Sequence, residues 1–220
     1  MKKIKIVVIS FPEIKLQTRD GHKLRGFFAD YFKTYSDLLH NHFEDKYLYR
    51  YSLVQYKVLD GIATLVAIED GANLLMELFM KIEFLEIDNT KYYVKNMIIK
   101  GGYTQIGETS DFQKYRFKTL WLALNQKNFH RYIAATDELE RKAILNSILT
   151  GHILGFAQGV GYEVKQRLYV ETKVYKRQTR FKNKQMIAFQ GQFITNFLLP
   201  DLIGLGRSIS RGFGTIERIS

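Results

Sequence analysis

The sequence predicts an α+β protein made of two tandem β-α-β-β-α-β units, and three observations carry that prediction. Strand-like and helix-like stretches alternate in that order through the first hundred residues. Asp60-Gly61 stands between two β-branched runs, which is a hairpin signal. The second half repeats a strand, a long helix and a two-strand pair before a glycine-rich loop. That element order is the ferredoxin-like, RNA-recognition type of unit.

The elements are expected as follows. Lys2 to Ile9 alternate as a strand, and the next stretch turns to helical spacing, with Leu24, Phe27, Phe28, Tyr31, Phe32 and Tyr35 on one side. A polar stretch around His40 to Lys46 leads into the strand "YRYSLVQYKVLD", the Asp60-Gly61 turn and the strand "IATLVAI". Gly71 to Met80 reads as a helix, and β-rich pieces follow near Lys81 to Ile87 and Lys91 to Ile99. Gly101-Gly102 punctuates the chain, so an N-terminal domain is expected over 1–100 and a C-terminal one over 112–220. In the second, "KYRFKTLWLAL" reads as a strand with Trp121 in the core, and "DELERKAILNSILTGHILGFAQGVG" as an amphipathic helix closed by glycines. Gln166 to Tyr175 and Gln185 to Thr195 form a hairpin, and Phe213 to Ile219 is a last strand.

The 220 residues carry a net charge of +11, and it is unevenly placed. Residues 1–110 hold 15 Lys and Arg against 14 Asp and Glu, whereas residues 111–220 hold 18 against 8. An excess confined to one half is the footprint of a polyanion-binding face. There is no cysteine, which removes disulfides and thiolate metal sites and suits a reducing cytosol. No apolar run has membrane-spanning length, and "MKKIKIVVIS" reads as a strand, not a signal peptide. A cytoplasmic protein without a membrane partner is expected.

The densest basic stretch is "VKQRLYVETKVYKRQTRFKNKQ". There Lys165, Arg167, Lys173, Lys176, Arg177, Arg180, Lys182 and Lys184 are interleaved with Tyr169, Tyr175 and Phe181, and only Glu163 and Glu171 oppose them. Cations grip phosphates and aromatic rings stack on bases, so this hairpin is a candidate RNA-binding element. The second candidate is "GLGRSISRGFG", where paired glycines flank Arg207, Ser208, Ser210 and Arg211. Gly206 and Gly212 allow close backbone approach, so amides and guanidinium groups can be laid against phosphates. No βαβ unit follows, which excludes a dinucleotide fingerprint, and no Gly-Lys-Ser/Thr ending is present, which excludes a Walker loop.

Proton-transfer chemistry points to His40 and His42 in "LLHNHFEDKYLYRY", because cleavage of RNA by its own 2′-hydroxyl needs a base there and an acid at the 5′-oxygen. Tyr47 and Tyr49 follow and can orient the reacting groups. A metal set from His40, His42, Glu44 and Asp45 is the competing reading, but it is too local for a catalytic zinc site and lacks the cysteines of a structural one. Loop capping by the two histidines is the non-catalytic alternative. His22, His130 and His152 are isolated and are expected to be structural.

The ending "PDLIGLGRSISRGFGTIER" resembles the G-x-G-x5-G-x-G loop of the repeat-associated RAMP proteins. "LRGFFADYF" and "LLHNHFEDKYLYRYSLVQYKVLDGIATLVAI" resemble the N-terminal domain of the CRISPR repeat-processing endoribonuclease, Cas endoribonuclease six, in its b subtype. The resemblance implies two ferredoxin-like domains, a CRISPR repeat RNA, stem-loop or single-stranded, as substrate, and metal- and cofactor-independent cleavage that leaves a 5′-hydroxyl and a cyclic or 3′ phosphate. It matches His40 and His42 to the family's histidine pair and Tyr49 to its tyrosine, with Tyr47 competing and Lys33 and Lys46 as outside candidates. Other Cas proteins of an effector complex and a second copy of the chain are the further partners it implies. A catalytically silent relative that delivers such RNA, and a general RNA-binding protein of RNA-recognition type, are the alternatives.

Overall fold

The structure is a computed structural model and describes residues 1–32, 42–43, 46–47, 51–181 and 184–220. The chain divides into two compact units, an N-terminal one of residues 3–104 with 210–212, and a C-terminal one of residues 1–2, 105–209 and 213–220.

In the N-terminal unit, strand β1 (Lys2–Lys15) is followed by helix α1 (Gly21–Tyr31), a two-residue ladder of β2 (His42–Phe43) and β3 (Lys46–Tyr47), and strands β4 (Val54–Leu59) and β5 (Ile62–Ile68). Asp60 and Gly61 both take positive φ, 51° and 79°, the tight turn that suits the twist of a two-residue hairpin. Helix α2 (Asp70–Leu78), a separate hairpin of β6 (Phe84–Ile87) and β7 (Thr90–Tyr93), and the start of β8 (Ile98–Phe117) complete the unit. The sheet order is β4-β5-β1-β8. Val54, Tyr56 and Val58 alternate onto the face that carries the core, where Val7, Ile9, Leu24, Phe28, Phe32, Leu65, Leu75 and Leu78 are buried.

The C-terminal unit repeats the arrangement. Strand β8 is followed by α3 (Gln126–Ala134), α4 (Glu138–Gly159), β9 (Val170–Phe181), β10 (Lys184–Leu198) and β11 (Ile216–Arg218), in the sheet order β9-β10-β8 with β11 on the far side of β8. Both units therefore place their strands in the ferredoxin-like order second-third-first-fourth, with the expected two-unit fold as the result. The Asp137 carboxylate caps α4 by accepting from the Glu140 amide at 2.7 Å. Ile144, Ile148, Leu149, Ile153 and Phe156 of that helix are buried, and Trp121 stacks on Phe117 with centroids 5.0 Å apart at 5°.

Three details correct the sequence reading. Gly101 and Gly102 do not interrupt a strand, because they lie inside β8, and the boundary between the two units falls within that strand, after Thr104. "KYRFKTLWLAL" leaves the strand after Phe117, and Trp121 instead exchanges two backbone hydrogen bonds with Phe189, at 2.8 and 2.9 Å. Helix α3 was not expected; Asn125 nucleates it by accepting from the Asn128 amide at 2.8 Å.

Candidate nucleic-acid interface

The basic hairpin is β9 and β10, paired in unbroken register from Val170↔Thr195 to Phe181↔Lys184. Strand alternation puts Lys173, Tyr175 and Arg177 on one side of β9 and Lys176 and Arg180 on the other. All five are exposed. The Arg177 guanidinium lies 4.2 Å from the Tyr175 ring centroid and Arg167 lies 5.5 Å from that of Tyr169, so two aromatic rings already carry a cation. Lys182 lies outside the described residues.

The foot of this hairpin is pinned by polar side chains that the sequence reading missed. Asn196 accepts from the Tyr169 amide at 2.8 Å and donates to the Arg167 carbonyl at 3.1 Å. Glu108 accepts from the amides of Lys165 (2.7 Å) and Gln166 (3.1 Å) and from the Tyr162 hydroxyl. Partial burial pushes the Glu108 carboxyl up, but those three donors outweigh it and bring it down to about 2. A carboxylate that stays charged holds the approach to β9 in place, and no local pattern in the sequence marks it.

The glycine-rich loop is built tightly. Gly206 has φ 103°, and a Cβ there would come within 2.7 Å of Trp121 Nε1 and 3.0 Å of the Leu122 carbonyl. At Gly214, φ 65°, it would sit 1.9 Å from the Leu205 carbonyl oxygen. Between them Arg207 is exposed yet anchored, its amide donating to the Leu122 carbonyl at 3.1 Å and its side chain to the Leu124 carbonyl at 2.8 Å. Ser208 holds φ 55° and is half-buried. Ser210, Arg211 and Gly212 group with the N-terminal unit, where Gly212 packs on the backbone of Tyr56 and Lys57. The loop thus couples its basic residues to glycines that the packing itself requires.

Two buried bases lie near this loop. Trp121 donates its indole N–H to His152 Nδ1 at 3.3 Å, and burial followed by the charge of Arg207 lowers the imidazole to about 4. His152 is therefore neutral at pH 7, as the acceptor role requires, and is a structural histidine as expected. Lys57 is fully buried, which lowers its ammonium to about 7. Strand alternation turns Lys57 away from the Tyr56 face, so the sequence pattern alone would leave it in solvent.

Of the candidate catalytic residues, His40 and Tyr49 lie outside the described residues, as do Lys33, Glu44 and Asp45. His42 is on β2, and the backbone register sets it opposite Tyr47 on β3. Lys46 stands opposite Phe43. No described helix is long and apolar enough to cross a membrane.

Family models match both units: the Cas6b N-terminal domain over residues 2–103 and the Cas6b C-terminal domain over 107–219. The chain is similar to a solved structure described as Cas6b, at 34% identity and a TM-score of 0.94, covering 99% of this chain and 100% of that one. It is also similar to a CRISPR RNA processing endoribonuclease Cas6b, at 32% identity and a TM-score of 0.81, covering 99% and 100%. An uncharacterized protein of Methanocaldococcus jannaschii is 33% identical over 144 residues, which cover 65% of this chain and 97% of that protein.

Proposed function

The chain belongs to the Cas6b family, and from that premise we propose that it is an endoribonuclease that cuts repeat RNA in CRISPR transcripts and releases guide RNAs. The observation that carries this reading is the likeness, over nearly the whole of both chains, to a protein described as a CRISPR RNA processing endoribonuclease. The exposed cations of β9, with Arg177 set over the Tyr175 ring and Arg167 over that of Tyr169 just before the strand, support an RNA substrate.

In this mechanism no metal takes part. The 2′-hydroxyl of the nucleotide before the cut attacks the adjacent phosphorus, the O2′–P bond forms, and the P–O5′ bond breaks. One of His40 and His42 takes the 2′-hydroxyl proton and the other protonates the departing 5′-oxygen, which leaves a cyclic phosphate and a 5′-hydroxyl. Tyr49 orients the reacting groups; Tyr47, set opposite His42 in the backbone ladder, is its rival for that role. Lys173, Lys176, Arg177, Arg180 and Lys182 hold the RNA from the hairpin. Gly206, Arg207, Ser208, Ser210, Arg211 and Gly212 hold it from the glycine-rich loop. Other Cas proteins and a second copy of the chain are the expected protein partners.

The test is cleavage of repeat RNA by the purified protein in EDTA. His40→Ala and His42→Ala are each expected to slow cleavage by about 10²- to 10⁴-fold with RNA affinity near wild type. Full activity in the double variant overturns the histidine mechanism, and loss of wild-type activity in EDTA overturns its independence of metal.

A further inference from the structure

Strand β9 is the outer strand of its sheet, with β10 as its one strand partner among the described residues. The Thr172 amide donates to Asn146 Oδ1 of α4 at 2.8 Å, so it points away from β10. Antiparallel strands alternate, and the register is unbroken, so the backbone groups of Val174 and Lys176 point the same way. At Thr172 the helix supplies an acceptor. Beyond it the strand edge opens onto a groove of about 630 Å³ that runs between β9 and the junction of α3 with α4.

The groove has an apolar floor and a basic rim. Tyr132 and Leu145 are buried beneath it, while Ile133 and Leu139 on its lip are 51% and 80% exposed. An aliphatic residue at that exposure, beside a second one and over an apolar floor, is surface that another polypeptide covers well. RNA presents no aliphatic surface to it. The carboxylates nearby are already engaged, Glu138 with Arg141 at 2.6 Å and Glu171 with Lys142, whereas Lys173 and Lys176 add further positive charge to the rim. Lysines on an open edge discourage indiscriminate strand pairing, and they also favour an acidic strand over any other.

We propose that the open edge of β9 and the adjoining groove dock an extended, acidic segment of a partner protein, which adds to the sheet as a further strand. Its backbone pairs with Val174 and Lys176, its apolar side chains cover Ile133, Leu139 and the floor, and its carboxylates meet Lys142, Lys173 and Lys176. Lys173 and Lys176 also belong to the hairpin proposed to hold RNA, so the acidic segment and RNA share these two lysines, whereas Ile133, Leu139 and the groove floor serve the segment alone and no groove residue takes part in the proposed cleavage step.

The probe is a fluorescent peptide of about eight residues alternating Glu and Val, titrated with the intact protein and followed by anisotropy. Its controls are the same peptide with a central proline, a Lys/Val peptide, and single-stranded repeat RNA. The expected result is saturable binding of the Glu/Val peptide, at least about tenfold weaker binding of the proline and Lys/Val peptides, and slowed amide exchange at Val174 and Lys176 in the complex. The double variant Ile133→Ser, Leu139→Ser removes exposed side chains without changing charge, so it is expected to keep its Tm and its RNA cleavage while losing peptide affinity by about tenfold or more. No binding up to about 1 mM, equal binding of the proline peptide, or an unchanged affinity in the double variant overturns the proposal. Loss of RNA binding in that variant also overturns it, because the groove is then a nucleic-acid surface.

Discussion

Gly206 lies so close to Trp121 that a Cβ on it would meet the indole at 2.7 Å from Nε1 and 2.8 Å from Cδ1. The indole cannot retreat: it is fully buried, stacked on Phe117, and hydrogen-bonded through Nε1 to His152. Positive φ and a rigid ring therefore both demand glycine at this position.

Gly206→Ala is accordingly expected to destabilise the protein by about 2–4 kcal/mol, the combined scale of left-handed strain and overpacking. That corresponds to a Tm lower by roughly 5–15 °C for a chain of this size. Gly102→Ala is the control, since a Cβ there meets nothing within 4 Å, and its Tm should hold. Equal melting of the two variants would sink the packing argument.

The role of the loop's arginines is decided by salt. If Arg207 and Arg211 contact RNA phosphates, the Arg207→Ala, Arg211→Ala double variant should reduce the slope of log affinity against log salt by about one to two units. Fluorescence anisotropy with repeat RNA across a salt series measures it. An unchanged slope in a variant with a normal Tm would make the loop architectural, in line with the anchoring of Arg207 on the Leu122 and Leu124 carbonyls.

Two buried bases contribute to the pH profile of stability. The folded-state value of His152 is about 4, below its ordinary 6.5, so the unfolded chain binds more protons between those limits. Its contribution is present above pH 6.5 and is lost as pH falls through 4, an effect on the order of 3 kcal/mol at most. Lys57, lowered to about 7 from 10.5, acts in a higher window with the same sign, so stability attributable to it rises from pH 7 towards 10.5. Urea unfolding against pH should show the lower step disappear in His152→Gln and the upper one in Lys57→Met. A lower step that persists in His152→Gln would assign it to other groups.

The sequence by itself determined the β-α-β-β-α-β order of the main elements, though not α3 or the short β2–β3 ladder, together with the Asp60-Gly61 hairpin, the helix that begins at Asp137 and the concentration of positive charge on one strand pair. Each of these depends on residues that are neighbours along the chain: a two- or three-to-four-residue period, a turn dipeptide, a capping carboxylate or a run of like charges. The residues proposed for catalysis were legible only as residue types at a spacing, and His40 and Tyr49 stay at that level because they lie outside the described residues. What only the tertiary structure decided depends on partners far apart in sequence. It ran β8 unbroken past Gly101-Gly102, where the glycines had suggested a break, because the residues up to Thr104 pack in one unit and those from Gln105 in the other. It buried Lys57 on a strand face that alternation assigns to solvent, because other parts of the fold cover that face. It also fixed Gly206 against a tryptophan 85 positions earlier and hung the foot of the basic hairpin on Glu108 and Asn196, contacts that leave no periodic trace because their sequence separation is set by topology alone.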